Sequence, residues 1–147
     1  MSFFSSLNTS ASGLTAQRLR LDIISQNMAN ASTTRTEAGG PYKRKMVVFE
    51  QIQNDASKGF SSILKEKRQN GSNGVRVSRI VEDESEGSLV YNPTHPDANE
   101  EGYVEMSNVN IVDEMVNMIS ASRSYEANVN SFNSMKAMFT KALEIGK

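Results

Sequence analysis

Side chains that could perform catalysis or bind metals are few in this 147-residue chain, and their spacing suits neither task. The sequence contains no cysteine and one histidine, His95, so thiolate chemistry, a cysteine metal site and a histidine pair are all excluded. We therefore predict that His95 lies in a solvent-exposed loop. The pattern predicts a protein that is not an enzyme, with no catalytic residue, no cofactor and no metal site.

The segment DANEEG, residues 97–102, resembles the start of a calcium-binding loop because oxygen-bearing side chains recur along it. The twelfth position of such a loop would be Asn108, where calcium loops carry glutamate. Pro93 and Pro96 also disfavour a helix that would lead into the loop. We interpret DANEEG as a turn.

Two charged runs are candidates for binding surfaces. Lys43, Arg44 and Lys45 form a basic triplet that is compatible with nucleic-acid binding, with contact to another subunit or with simple solvation. The pI near 5.9 and the single adjacent aromatic residue argue against nucleic acid. The acidic run EDESE at 82–86 is typical of a solvated surface, the alternative being contact with a basic patch on a neighbour.

Charge is distributed unevenly along the chain. Residues 1–79 contain 12 Lys and Arg against 5 Asp and Glu, whereas residues 80–147 contain 4 against 12. The two halves should attract each other, either within one chain or between subunits. Because an exposed ion pair contributes about 0 to 1 kcal/mol, this attraction guides pairing more than it stabilises the fold.

Apolar spacing at the N-terminus predicts a long helix from about Ser5 to Asn30. One stripe recurs every seven residues, and a second lies beside it at helical spacing. Asparagine, serine and threonine then cluster at 27–34 and compete for backbone hydrogen bonds, so the helix should end there, before a loop. The first stripe consists of Leu7, Leu14, Leu21 and Met28, and the second of Ala16, Leu19 and Ile23.

The C-terminal segment predicts a second long helix, from Asn110 to Ile145. Its apolar residues alternate in steps of three and four, as in the seam of a coiled coil. Both helices have two apolar faces, so we expect their ends to fold fully only when neighbouring subunits cover them. The predicted seam consists of Ile111, Met115, Met118, Ser122, Tyr125, Val129, Phe132, Lys136, Phe139 and Leu143.

The middle of the chain predicts short strands at 45–52, 75–82 and 88–93, with mobile stretches around 54–74. The predicted fold class is therefore mainly α with a small, loop-rich β insertion, its long N- and C-terminal helices paired as a coiled coil. We expect residues 1–34 and 108–147 to form a terminal helical domain, with 35–107 as the insertion.

The two ends of the sequence resemble the flagellar rod, hook and hook-associated axial proteins. Their shared signature is a leucine-spaced helix that ends in Asn-x-Ala-Asn-x-x-Thr, which corresponds here to Asn27, Ala29, Asn30 and Thr33. The C-terminal stretch that begins NVNIVDEMVN at residue 108 and the extension after the signature narrow the resemblance to basal-body rod proteins. That extension begins with Gly39, Gly40, Pro41 and Tyr42.

The resemblance implies a structural subunit of the proximal rod that assembles helically through its terminal helices, transmits torque and forms the wall of the export channel. Implied partners are other rod proteins, copies of itself and the flagellar type III export apparatus, which would export it without a cleaved signal peptide. Nucleic-acid binding and membrane insertion are not expected. The assembly interface would include Leu7, Leu14, Leu21, Met28, Met115, Met118, Tyr125, Val129, Phe132, Phe139 and Leu143.

Two other classes of function are weighed against this one. Helical periodicity alone would suit a coiled-coil adaptor or an export accessory protein, which would form a closed dimer. A nucleic-acid-binding module would instead show salt-sensitive binding to DNA or RNA.

Overall fold

The computed structural model describes residues 3–52 and 74–145. Two long helices lie at the ends of the chain and pack against each other: α1 (Phe3–Ala29) and α2 (Ile111–Ile145). The described residues between them form the strands β1 (Lys45–Gln51), β2 (Val75–Glu82), β3 (Leu89–Tyr91) and β4 (Tyr103–Glu105). The predicted fold class, two paired terminal helices around a small β element, is confirmed.

Helix α1 ends at Ala29, inside the predicted cluster of amide and hydroxyl side chains. The side-chain nitrogen of Asn30 donates to the carbonyl of Gln26 at 2.9 Å, and the hydroxyl of Thr33 lies 3.2 Å from Asn30 Oδ1. A turn follows, where Gly39 and Gly40 have φ angles of 85° and 75°. Glycine adopts these angles without steric cost, and the predicted loop after the helix is confirmed.

Small residues contribute to the contact between the two helices. A Cβ atom built on Gly13 of α1 would lie 3.1 Å from Asn128 Oδ1 of α2. Ala16 and Ala121 are among the most buried apolar residues of the chain, at 3% and 0% exposure. Small residues are therefore among the most buried of both helices, beside Ile23 and Ile24 of α1, each 5% exposed.

The helix contact follows only part of the predicted pattern. On α1 the second stripe, through Ala16 and Ile23, is the more buried one, and Leu7, Leu14, Leu21 and Met28 are half-buried. On α2 the buried positions are Glu114 and Ala121, each one residue before a predicted seam residue. Within one chain, the seam residues Ile111, Met115, Tyr125, Lys136, Phe139 and Leu143 are exposed, and Met118, Ser122, Val129 and Phe132 are half-buried.

The strands form two antiparallel pairs. Strand β1 pairs with β2 from Lys45 opposite Glu82 to Gln51 opposite Val75, with a bulge where the register shifts. Strand β3 pairs with β4, which the sequence did not predict because a three-residue strand is too short to show alternation. The predicted strands at 45–52, 75–82 and 88–93 are confirmed, and residues 54–73 lie outside the described residues.

Candidate functional site

Asn27, in the last helical turn of α1, is the centre of a buried polar cluster. Its side-chain nitrogen donates to the carbonyl of Lys45 at 2.8 Å and to Glu114 Oε2 at 2.9 Å. Its side-chain oxygen accepts from the backbone nitrogen of Lys45 at 2.9 Å and from the hydroxyl of Tyr42 at 3.0 Å. All four hydrogen-bonding positions of the amide are therefore occupied, and the residue is 1% exposed.

Glu114, in the first turn of α2, is also 1% exposed. Its Oε1 atom accepts from Arg44 Nε at 3.0 Å, from Arg44 Nη2 at 2.8 Å and from Asn117 Nδ2 at 3.1 Å. A buried carboxylate is tolerated only when it is paired and hydrogen-bonded, and Glu114 meets both conditions.

Asn108 extends the cluster to the end of β2. Its side-chain oxygen accepts from the backbone nitrogen of Arg44 at 2.7 Å. Its side-chain nitrogen donates to the carbonyls of Asp83 and Ser85, at 3.0 Å each. We call Asn27, Tyr42, Arg44, Asn108 and Glu114 the polar junction, because together they join α1, the loop after it, the end of β2 and α2.

The junction changes the acidity of its ionisable groups. Burial acts to raise the pKa of Glu114, but hydrogen bonds from Asn27, Arg44 and Asn117, with the positive charge of Arg44, hold that pKa below its usual value. Burial, with the negative charges of Glu82 and Glu114, raises the pKa of Tyr42. Glu114 is thus held as an anion, and Tyr42 keeps its hydroxyl proton for Asn27.

The three residues of the basic triplet have different environments. Arg44 pairs with Glu114, and its Nη1 lies 3.9 Å from Asp83 Oδ2. Lys45 lies 3.8 Å from Glu82 and 5.7 Å from the centre of the Tyr42 ring, whereas Lys43 is exposed. The triplet is therefore not one uniform surface patch, because its middle member pairs with a buried carboxylate.

Attraction between the basic and acidic halves operates within the chain. Four ion pairs join the two halves: Arg44 with Glu114, Arg44 with Asp83, Lys45 with Glu82, and Arg35 with Asp97. The acidic run at 82–86 is accordingly divided. Glu82 and Asp83 face basic residues of the same chain, whereas Glu84 and Glu86 are exposed, as predicted for a solvated surface.

The DANEEG segment lies in the turn that connects β3 to β4, as predicted. Asp97 accepts a hydrogen bond from the hydroxyl of Thr34 at 2.9 Å and lies 3.5 Å from Arg35. His95 lies in the same loop, where its Nδ1 accepts from the backbone nitrogen of Asp97 at 3.2 Å. His95 therefore lies in a loop, as predicted, and its side chain is 32% exposed.

Helix α2 presents an apolar surface on the side that faces away from α1. Val112, Met115, Val116 and Ile119, which we call the outer α2 patch, follow one another at helical spacing, and each is about half exposed or more. Nothing in the described part of the chain covers them. A contiguous exposed apolar surface on a helix is a common mark of a protein interaction site.

Neither a membrane span nor a metal site is found among the described residues. Over 3–52 and 74–145, no helix has the length and apolar character that crossing a bilayer requires. Over the same ranges, no group of three or more His, Asp or Glu side chains is placed to hold a metal ion.

Comparison with known proteins identifies the family. The chain is 53% identical to the flagellar basal-body rod protein FlgC of Bacillus subtilis, over the whole of both chains. The chain belongs to the FlgC family of flagellar basal-body rod proteins. It is 50% identical to the protein of that name from Borreliella burgdorferi, over 99% of this chain and 98% of the relative, and 40% identical over full length to that of Escherichia coli O6:H1.

Two family descriptions match its ends. Residues 7–35 match "Flagella basal body rod protein", and residues 100–145 match "Flagellar basal body rod FlgEFG protein C-terminal". The polar junction connects these segments, since Asn27 lies in the first, and Asn108 and Glu114 in the second. The resemblance to basal-body rod proteins is confirmed; the family is a structural component of the flagellar basal body, and an adaptor role is not favoured.

The sequence identified part of the junction in advance. Asn27 and Tyr42 belong to the family motif, and the structure joins them directly; the carbonyl of Thr33 also accepts from the backbone nitrogen of Tyr42 at 3.1 Å. Ala29 is exposed, as are Gly39 and Gly40, and Pro41 is half-buried. Asn108 and Glu114 were missed. The sequence offered little signal for Glu114, because it stands beside a second carboxylate, Asp113, in the first turn of α2.

Proposed function

We propose that this chain is a structural subunit of the proximal flagellar rod that assembles helically, through both terminal helices, with copies of itself and other rod proteins. The observation that carries the proposal is the outer α2 patch. Helix α2 packs on α1 through Glu114 and Ala121, and presents Val116, 62% exposed, on its other side. A helix with a second apolar face needs a second partner.

The energetics favour burial of this patch in an assembly. Full burial of one valine or isoleucine side chain contributes about 1.5 to 3 kcal/mol, so the four residues of the patch together represent a large driving force. A contact between two different surfaces of identical subunits does not close on itself unless its rotation forms a ring. Repetition of such a contact builds an open helical array, which is the geometry of a rod.

The proposal gives the terminal helices and the β insertion different roles. Residues 1–34 and 108–147 would form the assembling helical layer, and 35–107 the insertion outside it. The junction fixes the insertion to both helices, which suits a part that transmits torque. Export through the flagellar type III apparatus without a cleaved signal, and a place in the wall of the export channel, complete the proposed role.

A charge in the outer α2 patch tests the proposal. Val116→Asp should fold normally, because the side chain is exposed, yet be lost from isolated basal bodies and abolish swimming. Ser134→Asp is the matched control, because Ser134 is exposed on the same side of α2 about five turns further along. It should incorporate normally. Normal incorporation and swimming of Val116→Asp would exclude the patch as an assembly surface.

A further inference from the structure

We propose that the outer face of the β3–β4 pair is a docking surface for a different protein of the basal body, one that presents apolar side chains beside lysine or arginine. The inference rests on the proposed rod function for the place of the contact. It goes beyond that function because it assigns a second interaction surface, on the β element, and the chemistry of the partner that binds there.

The β3–β4 pair has one exposed apolar face. Leu89 and Tyr91 of β3 are each 65% exposed, and Tyr103, opposite Tyr91 in the register, is 40% exposed. Because side chains alternate along a strand, these three residues lie on the side opposite Val104, which is 2% exposed. Leu89, Tyr91 and Tyr103 form an uncovered apolar surface, which we call the hairpin face.

The two tyrosines of the hairpin face are held in place before any partner arrives. Their rings meet edge to face, with the centroids of Tyr91 and Tyr103 5.3 Å apart. A Cβ atom built on Gly102 would lie 3.0 Å from Tyr91 Cε2, so the ring lies against this glycine. Tyrosines fixed in this way lose little conformational entropy on binding and are typical interface anchors.

Unpaired carboxylates border the hairpin face. Residues 82–105 contain eight Asp and Glu and no Lys or Arg. Glu105 is opposite Leu89 in the register, so it shares that face, and Glu101 lies in the turn between the strands. Both are exposed, and neither forms an ion pair with a described residue. A surface that covers the tyrosines must approach these carboxylates, so it should carry positive charge.

This acidity argues against other kinds of ligand. Nucleic acid and anionic lipid surfaces carry negative charge and would be repelled. A metal ion would not use the apolar side chains, and no group of three or more His, Asp or Glu in the described ranges is placed to hold one. A cationic protein surface satisfies both features, because arginine beside tyrosine rings and carboxylates gains from cation–π attraction and from ion pairing.

A second copy of the chain suits the hairpin face less well than a different protein. Residues 82–105 of a second copy carry the same negative charge, so two such segments repel each other. Of the six described Lys and Arg at 35–81, four already pair with acidic residues of their own chain: Arg35, Arg44, Lys45 and Arg76. In the proposed rod, copies contact one another through their terminal helices, and the insertion lies outside that layer.

Hydrogen bonds connect the hairpin face to the rest of the chain. The hydroxyl of Thr34, in the loop after α1, donates to Asp97 at 2.9 Å. Beyond β4, the backbone nitrogen of Met106 donates to the carbonyl of Ser88 at 2.9 Å, and Asn108 of the polar junction donates to the carbonyl of Ser85 at 3.0 Å. A force on the hairpin face is therefore transmitted to the junction and to both helices.

Photo-cross-linking in the assembled basal body tests the contact. Replacement of Tyr91 by the photoreactive residue p-benzoylphenylalanine keeps an aromatic side chain at the centre of the hairpin face. After irradiation and isolation of basal bodies, mass spectrometry should identify a cross-link to a different protein, with lysine or arginine beside the cross-linked residue. The same replacement at Ser78, exposed on β2 and outside the hairpin face, should not give this product.

Three results would overturn the inference: a cross-link from position 91 to a second copy of the chain, a cross-link to a segment without lysine or arginine, and no cross-link although the variant is present in basal bodies. If the Tyr91 replacement is not incorporated, the same replacement at Leu89 is judged by the same criteria. Absence of the unsubstituted chain from basal bodies would instead refute the proposed function.

Reversal of charge gives a second test. Glu101→Lys with Glu105→Lys should lower the yield of this cross-link per incorporated copy by about tenfold, because two exposed ion pairs are lost and repulsion replaces them. Asp22→Lys with Glu126→Lys makes the same change of charge at exposed positions of the helices and should leave the yield unchanged. An undiminished yield in the Glu101 and Glu105 double variant would contradict a cationic partner.

Discussion

Asn27 and Glu114 lie 87 positions apart in the chain, yet the side-chain nitrogen of Asn27 is 2.9 Å from the carboxylate of Glu114. These two residues have the largest side chains with less than 2% exposure among the described residues. The largest fully buried side chains of the described structure are therefore polar, and they join the end of α1 to the start of α2. A buried cluster keeps all its hydrogen bonds in only one arrangement of its side chains, whereas an apolar contact tolerates several arrangements.

Asn27→Asp should destabilise the protein by about 3 kcal/mol or more. The substituted carboxylate cannot donate to Lys45 or Glu114, and it places a second negative charge beside Glu114. Urea unfolding of the purified chain measures the loss. Asn30→Asp is the matched control in the same motif, and should cost about 1 kcal/mol or less because Asn30 is only half-buried. Equal losses for the two variants would contradict the special role of Asn27.

Arg44→Met and Lys43→Met should behave very differently although the residues are adjacent. Loss of the Arg44 guanidinium leaves the buried carboxylate of Glu114 with amide donors alone, at a cost of about 3 kcal/mol. Lys43 is exposed, so its replacement should change the free energy of unfolding by less than about 0.5 kcal/mol. Denaturant midpoints measure both. A large loss of unfolding free energy in Lys43→Met would mean that the residues of the triplet act together.

Acid should destabilise the protein through Glu114. Its pKa is lowered in the folded state, so its stabilisation is complete above the unfolded value of about 4.3 and is lost as pH falls through the folded value. We expect the free energy of unfolding to fall with pH below that value. Glu114→Gln should reduce this slope, and Glu126→Gln, at an exposed position of α2, should keep it. An unchanged slope in Glu114→Gln would exclude Glu114 as the titrating group.

Hydrogen exchange of the dilute monomer should show a gradient along both helices. Two uncovered apolar faces on each helix predict that residues 1–30 and 110–147 of an isolated subunit exchange almost as fast as an unfolded chain, whereas residues 75–92 stay protected. The junction revises this expectation, because it stabilises α1 around Ile24 and α2 around Ala121 within a single chain. Amides there should be protected, and those towards Ile145 should exchange fastest. Equal protection along the whole of α2 would mean that the helix needs no neighbour.

The sequence alone determined the secondary structure and the family. Helical spacing of apolar residues, the amide and hydroxyl cluster after Met28 and alternation in Val75–Glu82 are local patterns, each set by the geometry of a single element. They therefore predicted α1, α2 and the longer strands to within two residues. The signature from Asn27 to Thr33 also lies in one continuous segment, so it was recognisable without a fold.

The tertiary structure alone decided which faces are buried. Periodicity favours the large seam residues of α2 for the helix contact, but the positions that the fold buries on α2 are Glu114 and Ala121, each one residue earlier. Glu114 is ordinary in sequence and becomes the centre of the junction because Arg44 and Asn27 reach it from distant segments. Burial of a charge depends on partners that local sequence does not specify, so this feature required the folded chain.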